Sequence, residues 1–567
     1  MTPAFFPKAA AWRPIALAAL FCCYFASVVQ IALMLKSYSG FVGLRSTLLY
    51  SLLWLIPLLM TQRIKLAGAL IGLLLWASSL AGLGYFLIYG QEFSQSVLFV
   101  MLESNPGEMG EYAGQYLSVS FVLYLLLYTL VGVWLWSRLQ PVTLPLRWRA
   151  LLIAGLAYGL LLHPFVKTHW DNPTNLARTQ KQLLGKMEPA APWQLVIGYA
   201  QYRQQLAHMS QLLEKNSALP PLQALKDNSG DAPRTLVLVI GESTQRGHMG
   251  LYGYPRDTTP RLTAMAHQDP NLTVFNDVVT PRPYTIETLE QVLTFANEKH
   301  PDRYLTQPTL MNLMKQAGYK TFWITNQMTL TARNTLLTVF SRQTDRQFYM
   351  NQQRSQNTRQ YDESVLGPFV EVLADPAPRK FIVVHLLGTH IRYENRYPQP
   401  FEQFEKSAPL LSTLGQQEQQ TFDQYDNANL YNDFVVSSLF DTYRHSGKQG
   451  FMLYLSDHGE EVYDTPPHQR QGRDELAPTR NMYTVPFLLW TSPQWANAHP
   501  RDLAATVNRK YSSAEFIHTW SDLAGLSYQG WQPQLSLVNP QFVEQPRWIG
   551  NPDHPHQLRT FDSLPNG

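Results

Sequence analysis

The fold of the C-terminal part is decided by the segment Thr235-Leu-Val-Leu-Val-Ile-Gly-Glu-Ser-Thr244. The run Thr235–Ile240 is apolar and rich in β-branched residues, which is typical of a buried strand. The strand leads directly into a glycine, the carboxylate of Glu242 and two hydroxyls. Because ligands of open α/β sheets collect beyond the carboxyl ends of strands, Glu242 lies where a site is expected.

Apolar runs of the same kind alternate with helical patterns along the rest of this part, which predicts an α/β domain with a largely parallel central sheet. The other predicted strands are Thr321–Thr325, Phe381–Leu386, Phe451–Leu455 and Val485–Trp490. The predicted helices include Ile286–Asn297 and Leu310–Ala317.

Two more strand ends carry side chains able to bind a metal. The strand Phe451–Leu455 leads into Ser456-Asp-His-Gly-Glu-Glu461, and Phe381–Leu386 leads into Gly388-Thr-His390. Carboxylate oxygens and imidazole nitrogens are ligand types that suit zinc. Each position also has an ordinary interpretation: Glu242 as a loop carboxylate, and His390 and His468 as surface histidines.

Thr285 supplies a hydroxyl at the start of a predicted helix. It follows Pro283-Tyr284, and helix N-termini favour anionic groups such as phosphate. Bound to zinc, its hydroxyl would have a lowered pKa and become a nucleophile near neutral pH. The alternative is plain N-capping, a common use of threonine.

Five apolar stretches in the first third of the chain predict a bundle of about five transmembrane helices. Buried core helices are the alternative, but segments this long, clustered and uncharged are uncommon in soluble proteins. The stretches are Ile15–Leu35, Ser46–Met60, Leu66–Tyr89, Leu117–Trp136 and Leu151–Val166.

Basic residues in the short loops predict the orientation of this bundle. Seven lie on the side of the N-terminus and two on the opposite side, which places the N-terminus in the cytoplasm. An odd number of spans then places everything after Val166 outside.

A chain of 567 residues exceeds one compact core, so we expect separate parts. These are a transmembrane domain over 1–166, a connector over 167–230 and an exported domain over 231–567. The amphipathic stretch Trp193–Glu214 in the connector is predicted to rest on the membrane surface or to pack on the following domain. Only Cys22 and Cys23 occur, so the exported part has no disulfide, and the net charge of +3 gives little support to nucleic-acid binding.

Longer motifs resemble those of the membrane phosphoethanolamine transferases, within the alkaline phosphatase and sulfatase superfamily. They are Val237-Leu-Val-Ile-Gly-Glu-Ser-Thr244, Leu251-Tyr-Gly-Tyr-Pro-Arg256 with Thr259-Pro260, Tyr425-Asp-Asn-Ala-Asn-Leu-Tyr431 and Ser456-Asp-His-Gly-Glu-Glu461. Three other stretches resemble the members that modify the lipopolysaccharide core: Gln91-Glu-Phe-Ser-Gln95, Met187-Glu-Pro-Ala-Ala-Pro-Trp193 and Arg282-Pro-Tyr-Thr-Ile-Glu287. The resemblance covers nearly the whole chain and implies an α/β/α sulfatase-like domain on a helical transmembrane bundle.

The resemblance also implies roles for individual residues. Glu242, Thr285, Asp457 and His458 fall on the family's zinc positions, and Thr285 falls on the residue that becomes modified with phosphoethanolamine. His390 and His468 fall on histidines implicated in binding the transferred group or a second zinc.

The sequence departs from the family pattern in two places. The disulfides of better-studied relatives are absent. In the loop Gly90–Tyr116, Val100 replaces the family asparagine, although Ser104 and Glu108 keep the four-residue spacing of a donor-binding helix face.

The implied activity is transfer of phosphoethanolamine from phosphatidylethanolamine to lipopolysaccharide, at a core heptose or its phosphate, with release of diacylglycerol. The implied location is the bacterial inner membrane, where the helical bundle contacts membrane lipids. The catalytic domain is implied to lie in the periplasm. The alternatives are a phosphoglycerol transferase, a lipid phosphodiesterase on the same scaffold, and a non-catalytic envelope protein that binds lipid.

Overall fold

The computed structural model describes residues 9–35, 41–89, 93, 119–171, 176–215, 221–327, 336–350, 361–404, 411, 413–554 and 557–565. The chain divides into two compact units, one that ends at Gln204 and one that begins at Gln205.

The N-terminal unit is helical in the part of the chain that is described. Its helices are α1 (Arg13–Leu35), α2 (Phe41–Ser51), α3 (Leu55–Met60), α4 (Ile64–Tyr89), α5 (Val119–Arg138), α6 (Leu146–Ala157), α7 (His163–Asp171), α8 (Leu176–Met187) and α9 (Trp193–Lys215). Five stretches are long and apolar enough to cross a membrane: Arg13–Leu35, Gly43–Met60, Ile64–Leu87, Val119–Arg138 and Leu146–Lys167. These match the five predicted spans, so the prediction of a transmembrane bundle is confirmed.

Aromatic residues join α1 to α5 inside the bundle. The Oη atom of Tyr128 donates to the carbonyl of Phe25 at 3.1 Å, and Tyr24 donates to the carbonyl of Tyr128 at 2.8 Å. Both cysteines of the chain, Cys22 and Cys23, lie on α1 as free thiols. The C-terminal unit therefore folds without any cysteine.

The predicted amphipathic helix exists as α9, and its first turns pack on the bundle itself. The ring of Trp193 stacks on Trp54 with centroids 5.6 Å apart. Ile197 belongs to an apolar cluster with Tyr50 and Leu53. Neither predicted placement of this helix included such a contact, because the apolar face alone does not identify its partner.

The C-terminal unit is built on a seven-stranded sheet. Its strands are β2 (Arg234–Gly241), β3 (Leu272–Val274), β5 (Lys320–Thr325), β6 (Arg346–Tyr349), β7 (Arg379–His385), β8 (Gly450–Ser456) and β11 (Phe487–Thr491). They lie in the order β3-β11-β8-β2-β7-β5-β6. Strands β8, β2, β7, β5 and β6 are parallel, as predicted. Strand β11 runs antiparallel to β8, with Phe487 opposite Leu455. The segment that connects β8 to β11 therefore begins and ends at the same edge of the sheet and does not cross over a face of the sheet.

Apolar side chains cover both faces of the sheet and give an α/β/α sandwich. Leu236 and Leu238 point into one layer, and Val237 and Val239 point into the other. The first layer contains α11 (Thr285–Val292), α12 (Leu310–Gln316) and α17 (Phe516–Leu523). The second contains α10 (Pro260–Gln268), α14 (Leu366–Ala374) and α15 (Gln416–His445). Two more helices are α13 (Leu336–Arg342) and α16 (Pro493–Ala498).

Helix α11 is shorter than the predicted Ile286–Asn297. The hydroxyl of Thr294 donates to the carbonyl of Glu290, four residues back, where a continuing helix would place a backbone N–H. Such side-chain bonds compete with the helical ladder. The helix consequently ends at Val292.

Short strands pair outside the main sheet. The pairs are β1 (Lys226–Asp227) with β13 (Leu526–Ser527), β4 (Val278–Val279) with β12 (Tyr511–Ser512), β9 (Glu461–Val462) with β10 (Gln471–Gly472), and β14 (Trp548–Ile549) with β15 (Arg559–Thr560). Asp227 of β1 also forms an ion pair with Arg234 of β2. Residues just before the predicted boundary at 231 thus contact the C-terminal unit.

Candidate metal centre

Two neighbouring parallel strands bring together three of the predicted ligands. Gly241 at the end of β2 is in register with Ser456 at the end of β8. The next residues, Glu242 on one strand and Asp457 with His458 on the other, therefore meet. All three are buried, and one ligand atom of each lies within 4.8 Å of the others.

Thr285 joins this group from the first turn of α11. Its Oγ1 atom donates to Oε2 of Glu242 at 3.0 Å and lies 3.4 Å from Nε2 of His458. The N-cap position belongs to Tyr284, and Thr285 is the first helical residue. The hydroxyl of Thr285 therefore does not cap the helix. It faces the carboxylate of Glu242 and the imidazole of His458 instead.

The tautomer of His458 follows from its two neighbours. Its Nδ1 atom lies 2.8 Å from the carbonyl of Gly459, which can only accept a hydrogen bond, so Nδ1 carries the proton. Arg473 can only donate, and its Nη1 atom lies 2.6 Å from Nε2. The Nε2 atom therefore presents a lone pair to the site.

That lone pair faces two carboxylate oxygens. Nε2 of His458 lies 3.1 Å from Oε1 of Glu242 and 3.3 Å from Oδ2 of Asp457. Among the described residues, Oδ2 of Asp457 is buried and has no hydrogen-bond donor. Acceptors that converge in this way repel one another unless a proton or a cation lies among them, and the guanidinium of Arg473 is one cation at this place. Two carboxylates, an imidazole and a hydroxyl make a ligand set that fits zinc.

The electrostatics of the two carboxylates agree with that fit. Burial raises the pKa of Asp457 well above its usual range, and the charge of Glu242 adds to the effect. Burial also opposes ionisation of Glu242, but the surrounding basic groups, the charged Arg473 among them, outweigh it and hold the pKa of Glu242 well below its usual range. Ionising both carboxylates together requires additional positive charge.

His390 lies within electrostatic range of the centre. Burial lowers the pKa of its imidazole to about 3, against the opposing charge of Glu242. In the described part of the chain its Nδ1 atom is buried with no hydrogen-bond partner. A neutral imidazole with an unused nitrogen is consistent with the predicted binding of the transferred group.

The other predicted site residues are less constrained. His468 lies in the loop between β9 and β10, where Nδ1 donates to the carbonyl of Tyr463 at 2.7 Å. Its assignment to the transferred group or to a second zinc stays a prediction. Ser104 and Glu108, like Val100, lie outside the described residues.

A glycine holds the backbone of Glu242 in place. Gly388 has φ +55°, and a Cβ atom there would lie 2.5 Å from the carbonyl oxygen of Glu242. The next residue, Thr389, donates its backbone N–H to the same carbonyl at 3.0 Å. Only glycine allows this approach.

Sequence reasoning missed two residues of the centre. The Nε2 atom of Gln327 donates to Oε2 of Glu242 at 3.2 Å. Gln327 follows the predicted strand Thr321–Thr325, so the strand-end rule could have identified it. Arg473 lies in a loop with neither apolar periodicity nor a motif, and no local signal marks it.

Comparison with known proteins identifies similar chains. The Sulfatase family model matches residues 234–526. The chain is 59% identical to phosphoethanolamine transferase EptC of Escherichia coli K12, over 98% of this chain and 97% of that protein. Identity and coverage are the same for phosphoethanolamine transferase CptA of Salmonella typhimurium.

Solved structures agree with both parts of the fold. The C-terminal periplasmic domain of Escherichia coli EptC in complex with zinc is 65% identical, with a TM-score of 0.61, and the match covers 62% of this chain and 98% of that one. The integral membrane protein EptA of Neisseria meningitidis is 18% identical, with a TM-score of 0.65, covering 92% of this chain and 98% of that one. This second likeness concerns the fold alone.

Proposed function

Because the chain belongs to the sulfatase family, and within it to the phosphoethanolamine transferases EptC and CptA, we propose that it transfers phosphoethanolamine from phosphatidylethanolamine to lipopolysaccharide. The family resemblance predicted from the motifs, including the closer match to EptC and CptA, is confirmed by the 59% identity. The names of these relatives support phosphoethanolamine as the transferred group. The donor, the covalent step and the acceptor position belong to the proposal.

One observation carries the proposed mechanism: the Thr285 hydroxyl lies 3.0 Å from Glu242 at the N-terminus of α11. The carboxylate accepts the hydroxyl hydrogen, and where a zinc ion lowers the pKa of that hydroxyl even this weak base can take up the proton. The first backbone N–H groups of the helix lack helical partners and favour an anionic phosphate. Nucleophile, base and phosphate-binding groups thus meet at one place.

The reaction runs in two displacements. The Thr285 oxygen forms a bond to the phosphorus of phosphatidylethanolamine and its proton moves to Glu242. The bond from phosphorus to the diacylglycerol oxygen breaks, and that oxygen takes up the proton from Glu242. A hydroxyl or phosphate oxygen of the lipopolysaccharide core then attacks the phosphorus. The acceptor's proton moves to Glu242, the bond from phosphorus to the Thr285 oxygen breaks, and that oxygen takes up the proton, which leaves the phosphoethanolamine group on the acceptor.

A zinc ion held by Glu242, Thr285, Asp457 and His458 would lower the pKa of the hydroxyl and offset charge on the phosphoryl oxygens. The zinc complex of the EptC domain supports this choice of metal. His458 contributes its Nε2 lone pair because Gly459 holds the proton on Nδ1. His390 and His468 bind the transferred group or a second zinc ion.

The membrane bundle fits this chemistry because donor and acceptor are both lipids. We infer that the N-terminus is cytoplasmic, from the basic residues of the loops, and that the catalytic unit is periplasmic. Anchoring keeps the site close to the membrane surface, which raises the effective concentration of both substrates. The loop with Ser104 and Glu108 is proposed to contact the donor.

Mass spectrometry of lipopolysaccharide from cells with and without the protein tests the function. We expect the lipopolysaccharide core to carry the added mass of phosphoethanolamine in cells with the protein and to lack it in cells from which the gene is deleted. A phosphoglycerol increment would support the alternative transferase. Free phosphoethanolamine without modified lipopolysaccharide would support a hydrolase, and no change in either would refute transfer.

A further inference from the structure

The guanidinium of Arg473 reaches into the centre from the loop after β10. Its side chain is 12% exposed. The Nη1 atom lies 2.6 Å from Nε2 of His458 and 3.7 Å from Oε1 of Glu242. Arg473 thus occupies the space in front of two of the proposed zinc ligands.

A buried carboxylate anchors the other edge of this guanidinium. The Nε atom of Arg473 lies 3.3 Å from Oε2 of Glu460, a fully buried residue two positions after His458. Tyr393 donates to the second oxygen of Glu460 at 3.3 Å. Glu460 thus holds the Nε side of the guanidinium while the Nη1 atom faces the centre.

The contact with His458 is incompatible with a metal-loaded centre. Nε2 has one lone pair, which cannot both accept from Arg473 and bind zinc. A guanidinium beside a zinc ion is also repelled. When the metal is held, Nη1 must leave Nε2, while Nε can keep its ion pair with Glu460. The displaced Nη1 atom is then a positively charged donor beside the metal, where an anionic ligand would lie.

We propose that Arg473 is a catalytic residue whose guanidinium binds non-bridging oxygens of the phosphate on which Thr285 acts, and that Glu460 positions it. The inference rests on the proposed function of this site. A planar guanidinium donates two parallel hydrogen bonds to phosphate, which suits it to hold the group and to stabilise negative charge on its oxygens.

If Arg473 contacts His458 without the metal and phosphate with it, its removal changes zinc affinity and phosphate affinity in different ways. Removal of a purely structural residue would lower both. Without phosphate, Arg473 competes with zinc for His458 and Glu242, so its removal leaves zinc affinity equal or higher. With zinc bound, Arg473 binds phosphate, so its removal lowers phosphate affinity. The two affinities respond differently to a single substitution.

The test uses the full chain in detergent micelles. Zinc affinity is measured by competition with a chromogenic chelator in the absence of phosphate, and affinity of the zinc-loaded protein for inorganic phosphate is measured by calorimetry. For Arg473→Ala we expect equal or tighter zinc binding and at least about tenfold weaker phosphate binding. Glu460→Gln should weaken phosphate binding to a smaller extent. Arg470→Ala, which removes a guanidinium of the same hairpin bound to the carbonyl of Ala477, should match the wild type.

Phosphate affinity unchanged in Arg473→Ala overturns the inference, and so does a parallel loss of zinc and phosphate binding. If Arg473→Ala does not fold, Arg473→Lys replaces it. This variant keeps the positive charge but lacks the two parallel N–H donors of a guanidinium. Weaker phosphate binding with intact zinc binding therefore supports the inference, and unchanged phosphate binding overturns it. Both measurements are independent of transfer, so the inference can fail while Thr285-dependent transfer stands.

Discussion

The hydroxyl of Thr285 and the carboxylate of Glu242 lie 3.0 Å apart, although 43 residues separate them in the chain. Glu242 follows the central strand β2, and Thr285 begins a helix that packs on the same sheet. Both positions are therefore fixed by the core of the C-terminal unit. A short path for the hydroxyl proton already exists in this arrangement.

Replacing Thr285 should abolish transfer. Thr285→Ala removes the attacking oxygen, so we expect transfer at background. Thr285→Ser keeps a hydroxyl with more χ1 freedom than the β-branched original, so partial activity is expected. The measurement is transfer of labelled phosphoethanolamine to lipopolysaccharide, and robust activity of the alanine variant would refute the mechanism.

The covalent intermediate should map to Thr285 rather than to the neighbouring Thr288. The hydroxyl of Thr288 is fully buried, donates to the carbonyl of Arg282 at 2.7 Å and lies 3.3 Å from Thr280. Wild-type protein incubated with phosphatidylethanolamine and no acceptor should carry the adduct on Thr285 by peptide mass spectrometry. An adduct on Thr288 would count against the assignment.

Removing a proposed ligand should remove the metal. For Asp457→Ala and His458→Ala we expect zinc affinity to fall by more than about 100-fold, since loss of even an outer partner costs about 10–100-fold. Activity should fall in parallel. Elemental analysis checks the metal content, with Asp441→Ala, an exposed carboxylate on α15, as the control. Full zinc occupancy in either ligand variant would disprove that ligand.

The close approach of Gly388 to Glu242 predicts a site-specific effect of one methyl group. Gly388→Ala combines a positive φ, which costs about 1–3 kcal/mol, with a 2.5 Å collision against the Glu242 carbonyl. We expect lower thermal stability and loss of zinc binding. Gly367→Ala on α14 meets no atom within 4 Å and should stay within about 1 kcal/mol of wild type. Equal thermal stability and equal zinc binding of the two variants would show that the contact between Gly388 and the Glu242 carbonyl is not tight.

Stability should depend on pH through His248. This buried imidazole contacts Asp426 at 2.6 Å and Asp464 at 2.8 Å. Burial alone would lower its pKa, but the two carboxylates outweigh burial and raise the pKa to about 10 from an ordinary 6.5. The folded state thus binds the proton more tightly. The resulting stabilisation is complete below about pH 6.5 and is lost as the pH rises towards 10.

We therefore expect His248→Gln to unfold more easily than wild type at pH 6, by about 1–3 kcal/mol, because the buried Asp426 and the partly exposed Asp464 each lose a charged hydrogen-bond partner. The difference should shrink as the pH approaches 10. Thermal unfolding from pH 6 to 10 measures it, and the exposed His267→Gln is the control. A constant difference across this range would show that the imidazole is not charged.

The C-terminal unit should fold without the membrane helices, with a stability that depends on where it begins. A fragment that starts at Asp231 lacks β1, which pairs with β13, and lacks Asp227, the ion-pair partner of the buried Arg234. We expect a fragment that starts at Pro221 to unfold at a higher temperature than the one that starts at Asp231. Both should bind zinc, and transfer between lipids in liposomes should collapse for both. Unimpaired transfer would show that the membrane part is dispensable.

Some features of the site were predictable because they follow from local pattern. Strand ends placed Glu242 and Asp457 at one edge of the sheet, and the helix start after Tyr284 indicated Thr285. The contacts of Arg473 and His248 depend on side chains that meet across distant segments. His248 and Asp426 are 178 residues apart, and no local spacing encodes such a pair. The direction of β11 and the end of α11 were missed because connection geometry and one hydroxyl, rather than hydrophobic pattern, decide them.

The confinement of both cysteines to α1 separates maturation of the C-terminal unit from the redox state of its surroundings. No thiol in that unit has to be oxidised, shuffled or protected while it folds. Its refolding should proceed at the same rate with or without dithiothreitol, and its yield should not depend on disulfide-forming enzymes. Reducing stress in the cell envelope would leave this unit intact while inactivating proteins that are held together by cystines.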